Sequence, residues 1–136
     1  LNGNDGVLNL PYYDLLIGLD CTIFASYYEP WGYTPMESVA FGVPTITTDL
    51  SGFGQWVQSE CKVGFVNSGV MVIHRTDSNY SSVVDQIGNA VYDYLNTDDN
   101  QKKKARMQAK KTAEKATWCN FIKYYEDAYN EAIKNL

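Results

Sequence analysis

Toward the C-terminal end of the chain, apolar residues recur at intervals of three and four: Trp118, Phe121, Ile122, Tyr125, Ala128, Tyr129, Ala132 and Ile133. That period predicts an amphipathic helix, the most strongly patterned of the sequence. Val83, Val84, Ile87, Val91 and Leu95 repeat the signal over residues 81–96, and the polar run 96–100 (NTDDN) ends it. Between these two, residues 101–117 carry Lys and Arg around a narrow Ala105/Ala109/Ala113 stripe. The first part of the chain reads differently. Residues 22–26 (TIFAS) form a short β-prone run without polar alternation, as expected of a strand covered on both faces. Residues 44–48 (PTITT), 63–66 and 70–74 (VMVIH) are further strand candidates, with Asn67-Ser68-Gly69 as a hairpin turn or a kink between the last two. Residues 11–19 predict a short helix opening on Pro11. A second helix starts at Thr34, with Pro35 in its first position, and closes at Gly42. Residues 1–10 read as a polar loop.

Strand, loop, helix and strand in that order make a right-handed βαβ crossover, which forces two parallel neighbours. Parallel strands with helices on both faces give a doubly wound α/β sheet. In such a sheet ligands sit beyond the carboxyl ends of the strands. Here that edge is built from residues 27–33 and 49–54.

The first of these loops runs Tyr-Tyr-Glu-Pro-Trp-Gly-Tyr into Thr-Pro-Met-Glu. Gly32, Tyr33 and Thr34 lead into a helix N-terminus, whose unpaired N–H groups and positive dipole end suit a phosphate. Trp31 and Tyr33 offer flat faces for a base or a sugar ring, and Glu29 and Glu37 offer acceptors for hydroxyl groups. A phosphate site flanked by hydroxyl acceptors describes a nucleotide sugar. Each residue also has a plainer role. Thr34 with Glu37 spells a capping box, which would bind Glu37 to its own helix. Glu29 could be a solvated loop acid, the aromatics a cover for the sheet edge, and His74 a structural histidine.

Charge divides the chain. Residues 1–100 hold twelve Asp and Glu against Lys62 and Arg75, whereas residues 101–136 hold nine Lys and Arg against four acids; the formal net charge is −5. An anion bound by the first block must therefore be met by backbone dipoles or by cations from other sequence. The lysine run reads as a solvated helix face, not a nucleic-acid surface. Cys21, Cys61 and Cys119 are too far apart for a zinc site or a disulfide framework and are expected as buried thiols. Asn79-Tyr80-Ser81 is a glycosylation tripeptide of the kind that arises by chance. Neither an apolar run of membrane-spanning length nor a signal peptide is visible, so a cytoplasmic location is expected.

The stretch YYEPWGYTPMESVAFGVPTITTDLSGFG resembles the donor-site segment of glycogen synthases of the animal and fungal type and their bacterial relatives. These are retaining glycosyltransferases of two-Rossmann-domain (GT-B) architecture. The close likeness covers about residues 7–57. It implies that residues 1–100 are the C-terminal part of a Rossmann-like nucleotide-sugar-binding domain and residues 101–136 a helical segment packed on it. It implies that Glu37 holds the ribose hydroxyls and Glu29 lies near the transferred glucose. Gly32, Tyr33 and Thr34 would line the diphosphate, with Tyr33 or Trp31 flanking the donor. The reaction implied is glucose transfer from UDP-glucose or ADP-glucose to an α-1,4-glucan end, with no metal and no cofactor. The partners implied are the donor, the glucan acceptor and an N-terminal domain of the same polypeptide, with neither nucleic acid nor membrane; an oligomer is left open by the sequence. Two departures stand out: the diphosphate-neutralising cations would come from earlier sequence, and the family's arginine-rich regulatory helix corresponds here to a lysine run with Arg106 alone. Other readings are a sucrose-synthase-like or lipid-glycosylating transferase and a non-catalytic α/β module, receiver-like or sugar-phosphate-binding. A receiver needs a lysine on a late strand, which this sequence lacks.

Overall fold

The computed structural model describes residues 3–4 and 6–135. Its elements run α1 (Tyr12–Leu16), β1 (Thr22–Phe24), α2 (Tyr33–Ala40), β2 (Thr45–Thr48), α3 (Gly52–Glu60), α4 (Phe65–Ser68), β3 (Val70–Ile73), α5 (Tyr80–Leu95), α6 (Asp99–Lys115) and α7 (Trp118–Lys134). Among the described residues the strands form one parallel sheet in the order β1-β2-β3, with Ile46 opposite Ile23 on one side and Met71 on the other. The fold is therefore α/β with an open parallel sheet, as in a Rossmann-like half-domain. The loop expected for residues 1–10 falls partly outside the described residues; the rest of it forms no helix or strand.

The strand covered on both faces is β2. All four of its residues are buried. Ile46 joins Ile73 and the Val83, Ala90 and Tyr94 face of α5, while Val39, Phe53, Val57 and Val70 make a second cluster under α2 and α3. Buried hydroxyls need partners. Thr22 Oγ1 lies 2.6 Å from Ser38 Oγ and 2.9 Å from Thr45 Oγ1, and Thr48 Oγ1 donates to Ser26 O at 2.7 Å. β1 departs from expectation: it is an edge strand among the described residues, and Ile23 is 48% exposed.

The α2 terminus follows the expected pattern. Gly42 N bonds Val39 O and Val43 N bonds Ser38 O, each at 2.9 Å, the paired arrangement that turns a chain out of a helix at a left-handed residue. Three expectations fail. Residues 63–66 are not a strand, because Phe65 opens α4, whose side chain packs on Tyr94 at 4.8 Å between ring centroids. Asn67 and Ser68 belong to that helix, so the segment makes neither a hairpin nor a kinked strand. Helix α3 was not visible in the pattern at all; its Gly-rich start has low helix propensity, and it is held by Ser51 Oγ accepting from Gly54 N and by buried Phe53 and Val57.

The alanine stripe of α6 has a steric cause. A Cβ on Gly69 would lie 2.4 Å from Ala109 Cα, so the helix passes almost against the β3 approach and only small side chains fit. Ala105, Ala109 and Thr112 are buried there, and the lysines point outward. Helix α7 is the reverse: strongly patterned, it buries none of its residues fully, and Trp118 is 59% exposed. The cysteines are not buried either. Cys21 and Cys61 are half-buried and Cys119 is exposed.

Candidate functional site

Both loops expected at the carboxyl edge of the sheet are there, and they clasp each other. Glu29 N donates to Leu50 O at 3.3 Å, Gly52 N to Glu29 O at 3.0 Å and Phe53 N to Trp31 O at 2.6 Å. The approach is close enough that a Cβ on Gly52 would meet Pro30 O at 2.2 Å. Backbone pairing thus fixes residues 29–31 from below.

Two helices begin at this edge, and they begin differently. The α3 N-terminus is closed by the Ser51 side chain, bonded to Gly54 N at 3.0 Å. The α2 N-terminus is open: Gly32 is its N-cap, with φ 105°, and no side chain caps it. That left-handed turn favours glycine, and a Cβ there would sit 3.1 Å from Pro35 Cγ and 3.5 Å from Glu29 Cγ. Tyr33 and Thr34 occupy the first two helical positions, whose N–H groups have no intrahelical acceptor. Pro35 stands third, with no N–H to satisfy.

This corrects the expected capping box. Thr34 lies inside the helix, Pro35 is not its first residue, and Glu37 is fifth, too far along to reach back to the cap. The Glu37 carboxylate instead accepts from the Tyr13 hydroxyl at 3.1 Å. Tyr13 in turn stacks on Phe41 at 5.1 Å, so α1 buttresses the flank of α2. That hydrogen bond, with the Glu37 charge beside it, raises the Tyr13 pKa; burial, then Glu37, raises that of Tyr12. Nothing in the sequence pattern linked Tyr13 to Glu37, which lies 24 residues on.

The structure gathers Glu29, Gly32, Tyr33 and Thr34 at one helix start, with Glu37 on the adjoining flank. Among the described residues the Glu29 carboxylate has no hydrogen-bond or ion-pair partner. Trp31 packs against α3 and α7. Its ring meets the edge of Phe121 at 5.2 Å and lies 5.9 Å from Phe53, and its indole N–H donates to Met36 Sδ at 3.4 Å. It lines an apolar cavity of about 500 Å³ between this loop and α7. Tyr33 lines the same cavity and, at 68% exposed, is the more open of the two aromatics.

The ends of β2 and β3 supply a polar cluster. Asp49 Oδ1 accepts from Arg75 N at 2.9 Å, and Asp49 Oδ2 lies 2.5 Å from His74 Nδ1, giving His74 the structural partner expected of it. The Asn79 amide of the glycosylation tripeptide is occupied in the same turn, accepting from Thr76 N and donating to His74 O. The lone arginine of α6 is also engaged: Arg106 donates to Leu19 O at 2.7 Å and lies 3.6 Å from Asp20. Its guanidinium ties α6 to the start of β1. No group of three or more His, Cys, Asp and Glu side chains capable of holding a metal occurs among the described residues.

Residues 1–136 match, over their whole length, the family described as glycogen synthase. The chain belongs to the glycogen synthase family. It is 31% identical over 119 residues to glycogen [starch] synthase isoform 1 of Saccharomyces cerevisiae, covering 87% of this chain and 17% of that protein. It is 31% identical over 130 residues to glycogen [starch] synthase of Caenorhabditis elegans, covering 96% and 19%, and 30% identical over 128 residues to the liver enzyme of Mus musculus, covering 94% and 18%. The chain thus spans less than a fifth of the length of these relatives. Membership of the glycogen synthase family leaves the sucrose-synthase-like, lipid-glycosylating and receiver-like readings without support. No helix among the described residues is long and apolar enough to cross a membrane.

Proposed function

We propose that this chain is the donor-binding part of a retaining glycosyltransferase that moves glucose from UDP-glucose or ADP-glucose to the 4-hydroxyl at the end of an α-1,4-glucan in the cytoplasm. Residues 1–100 form the C-terminal part of the nucleotide-sugar domain and residues 101–136 the helical segment on it. The observation that carries the proposal is the open α2 N-terminus. Gly32 turns the chain so that the Tyr33 and Thr34 N–H groups face out with no capping side chain, beside a Glu29 carboxylate with no partner among the described residues.

In that arrangement the donor diphosphate sits on the α2 N-terminus, where peptide dipoles and free N–H groups favour negative charge. Glu37, oriented by Tyr13, accepts from the ribose hydroxyls. Glu29 faces the glucose and stabilises the positive charge that develops on the sugar as the bond to the leaving diphosphate breaks. The rest of the polypeptide supplies the cations that complete the neutralisation of the diphosphate, the acceptor side of the cleft and no cofactor. Tyr33, the exposed aromatic at the helix start, flanks the donor, while Trp31 supports the loop from behind.

The test is transfer of labelled glucose from each donor to glycogen by the full-length polypeptide carrying these residues. Incorporation as α-linked glucose from one donor supports the proposal; no incorporation from either, with no binding of UDP or ADP, overturns it. The 136-residue chain by itself is expected to transfer nothing.

A further inference from the structure

Arg75 lies two residues beyond β3 and is 7% exposed, yet no carboxylate pairs with its side chain among the described residues. Its guanidinium reaches back 50 residues to the end of β1, donating from Nη1 to Ala25 O at 2.5 Å, and lies 3.6 Å above the centre of the Tyr27 ring. Its Nε is buried without a hydrogen-bond partner. Burying a guanidinium on one carbonyl and one aromatic face costs stability that an apolar side chain of similar volume would not. Such an arrangement is understandable where it fixes a geometry.

The geometry it fixes is the route from β1 to Glu29. Ser26 is held by Thr48, and Glu29 and Trp31 are held by backbone bonds to the start of α3. Between these anchors Ala25 and Tyr27 are tied down by Arg75, and Asp49 sets Arg75 in turn by accepting from its backbone N–H. We infer that Arg75 is a positioning residue for Glu29: the Arg75–Tyr27 stack sets the path of the loop and thereby the place of the Glu29 carboxylate against the transferred sugar. The inference rests on the donor-site reading above and adds to it a residue that touches neither substrate nor nucleotide.

The test is a double-mutant cycle in the full-length enzyme, read by steady-state kinetics, nucleotide titration and amide hydrogen exchange. Arg75→Met and Tyr27→Leu are each expected to lower kcat about tenfold or more, since small misplacements of a reacting group are costly. Donor KM and nucleotide Kd should stay within about twofold, because the phosphate and ribose contacts are elsewhere. Combining the two should cost no more than the worse single change, which is the signature of groups acting as a unit. Arg75→Lys should remain impaired, as it keeps the charge but loses the planar stack, and Tyr27→Phe should recover turnover lost in Tyr27→Leu. The Glu29 amide should exchange faster in Arg75→Met. Tyr27 is half exposed and its variants are expected to fold even where Arg75→Met does not. Additive effects, unchanged kcat, or parallel losses in kcat, KM and thermal stability in the Tyr27 variants would overturn the positioning role alone. A wild-type enzyme inactive with both donors would overturn the transferase reading and this role with it, whatever the exchange shows.

Discussion

The Tyr13 hydroxyl donates to Glu37 Oε1 at 3.1 Å, joining the first helix to the side of α2. A helix of five residues thereby orients a carboxylate that helix capping would have explained from the local sequence. Glu37 is free of the capping duty, so under the proposed donor role its removal should bear on ligand more than on fold. In the full-length enzyme Glu37→Gln should weaken UDP or ADP binding by about tenfold or more, corresponding to loss of a charge-assisted hydrogen bond of about 1.5 to 3 kcal/mol. Thermal stability should barely move. Spectrophotometric titration gives a second readout: Tyr13 titrates above the usual tyrosine value because of Glu37, so the substitution should bring it down. An unchanged nucleotide affinity would sink the ribose role.

Glu29 stands on the other side of the helix start, with its backbone fixed at both N–H and C=O. Glu29→Gln should lower kcat by about a hundredfold, the scale of losing one preorganised electrostatic group, with nucleotide affinity almost unchanged. Single-turnover kinetics beside a UDP titration separates the two effects. Equal effects of Glu29→Gln and Glu37→Gln on nucleotide affinity would remove the division of roles.

The two helix starts make opposite predictions for stability. Ser51→Ala removes a side chain that caps α3 and is buried at 1% exposure, so it should cost about 1 to 2 kcal/mol. Thr34→Ala, placed inside α2, should cost less than about 0.5 kcal/mol. Denaturant unfolding measures both; a larger loss at Thr34 would restore the capping box.

Gly32→Ala combines a left-handed backbone with a Cβ 3.1 Å from Pro35 Cγ. A stability loss of about 1 to 3 kcal/mol is expected, together with loss of nucleotide binding, because relaxing the turn swings the Tyr33 and Thr34 N–H groups away. Retained binding at wild-type affinity would show that the turn does not shape the phosphate site.

Burial pushes the Cys21 thiol up to about 11 from its ordinary 9.0, whereas Cys119 is exposed. Alkylation at mildly alkaline pH should label Cys119 well before Cys21. The sign of the linkage follows from the raised value. Between about 9 and 11 the folded chain holds a proton that the unfolded chain releases, so this contribution is complete below pH 9 and fades as pH rises toward 11. Cys21→Ser should flatten that alkaline decline in the unfolding midpoint. An alkaline decline identical to wild type would assign it to another group.

The sequence by itself determined the parallel crossover from β1 through α2 to β2, the edge on which the loops open and the glycine, Gly42, that closes α2. Those features are local: a period of three to four or an apolar run of four, a glycine at a turn, and a chirality rule that leaves one handedness. It did not determine which strand would be covered on both faces, since the run at 22–26 and the run at 44–48 look alike until the sheet order puts β2 in the middle. It misread residues 63–66, where Phe65 packs on Tyr94 of α5 and a helical turn wins over β propensity. The pattern of α7 showed an apolar face but not what covers it, because periodicity records which side of a helix avoids water and says nothing of its partner. Only the tertiary structure placed Tyr13 on Glu37 and Arg75 against the face of Tyr27. Those contacts join residues 24 and 48 positions apart, and no local spacing rule reaches across that distance to say which polar side chains will meet.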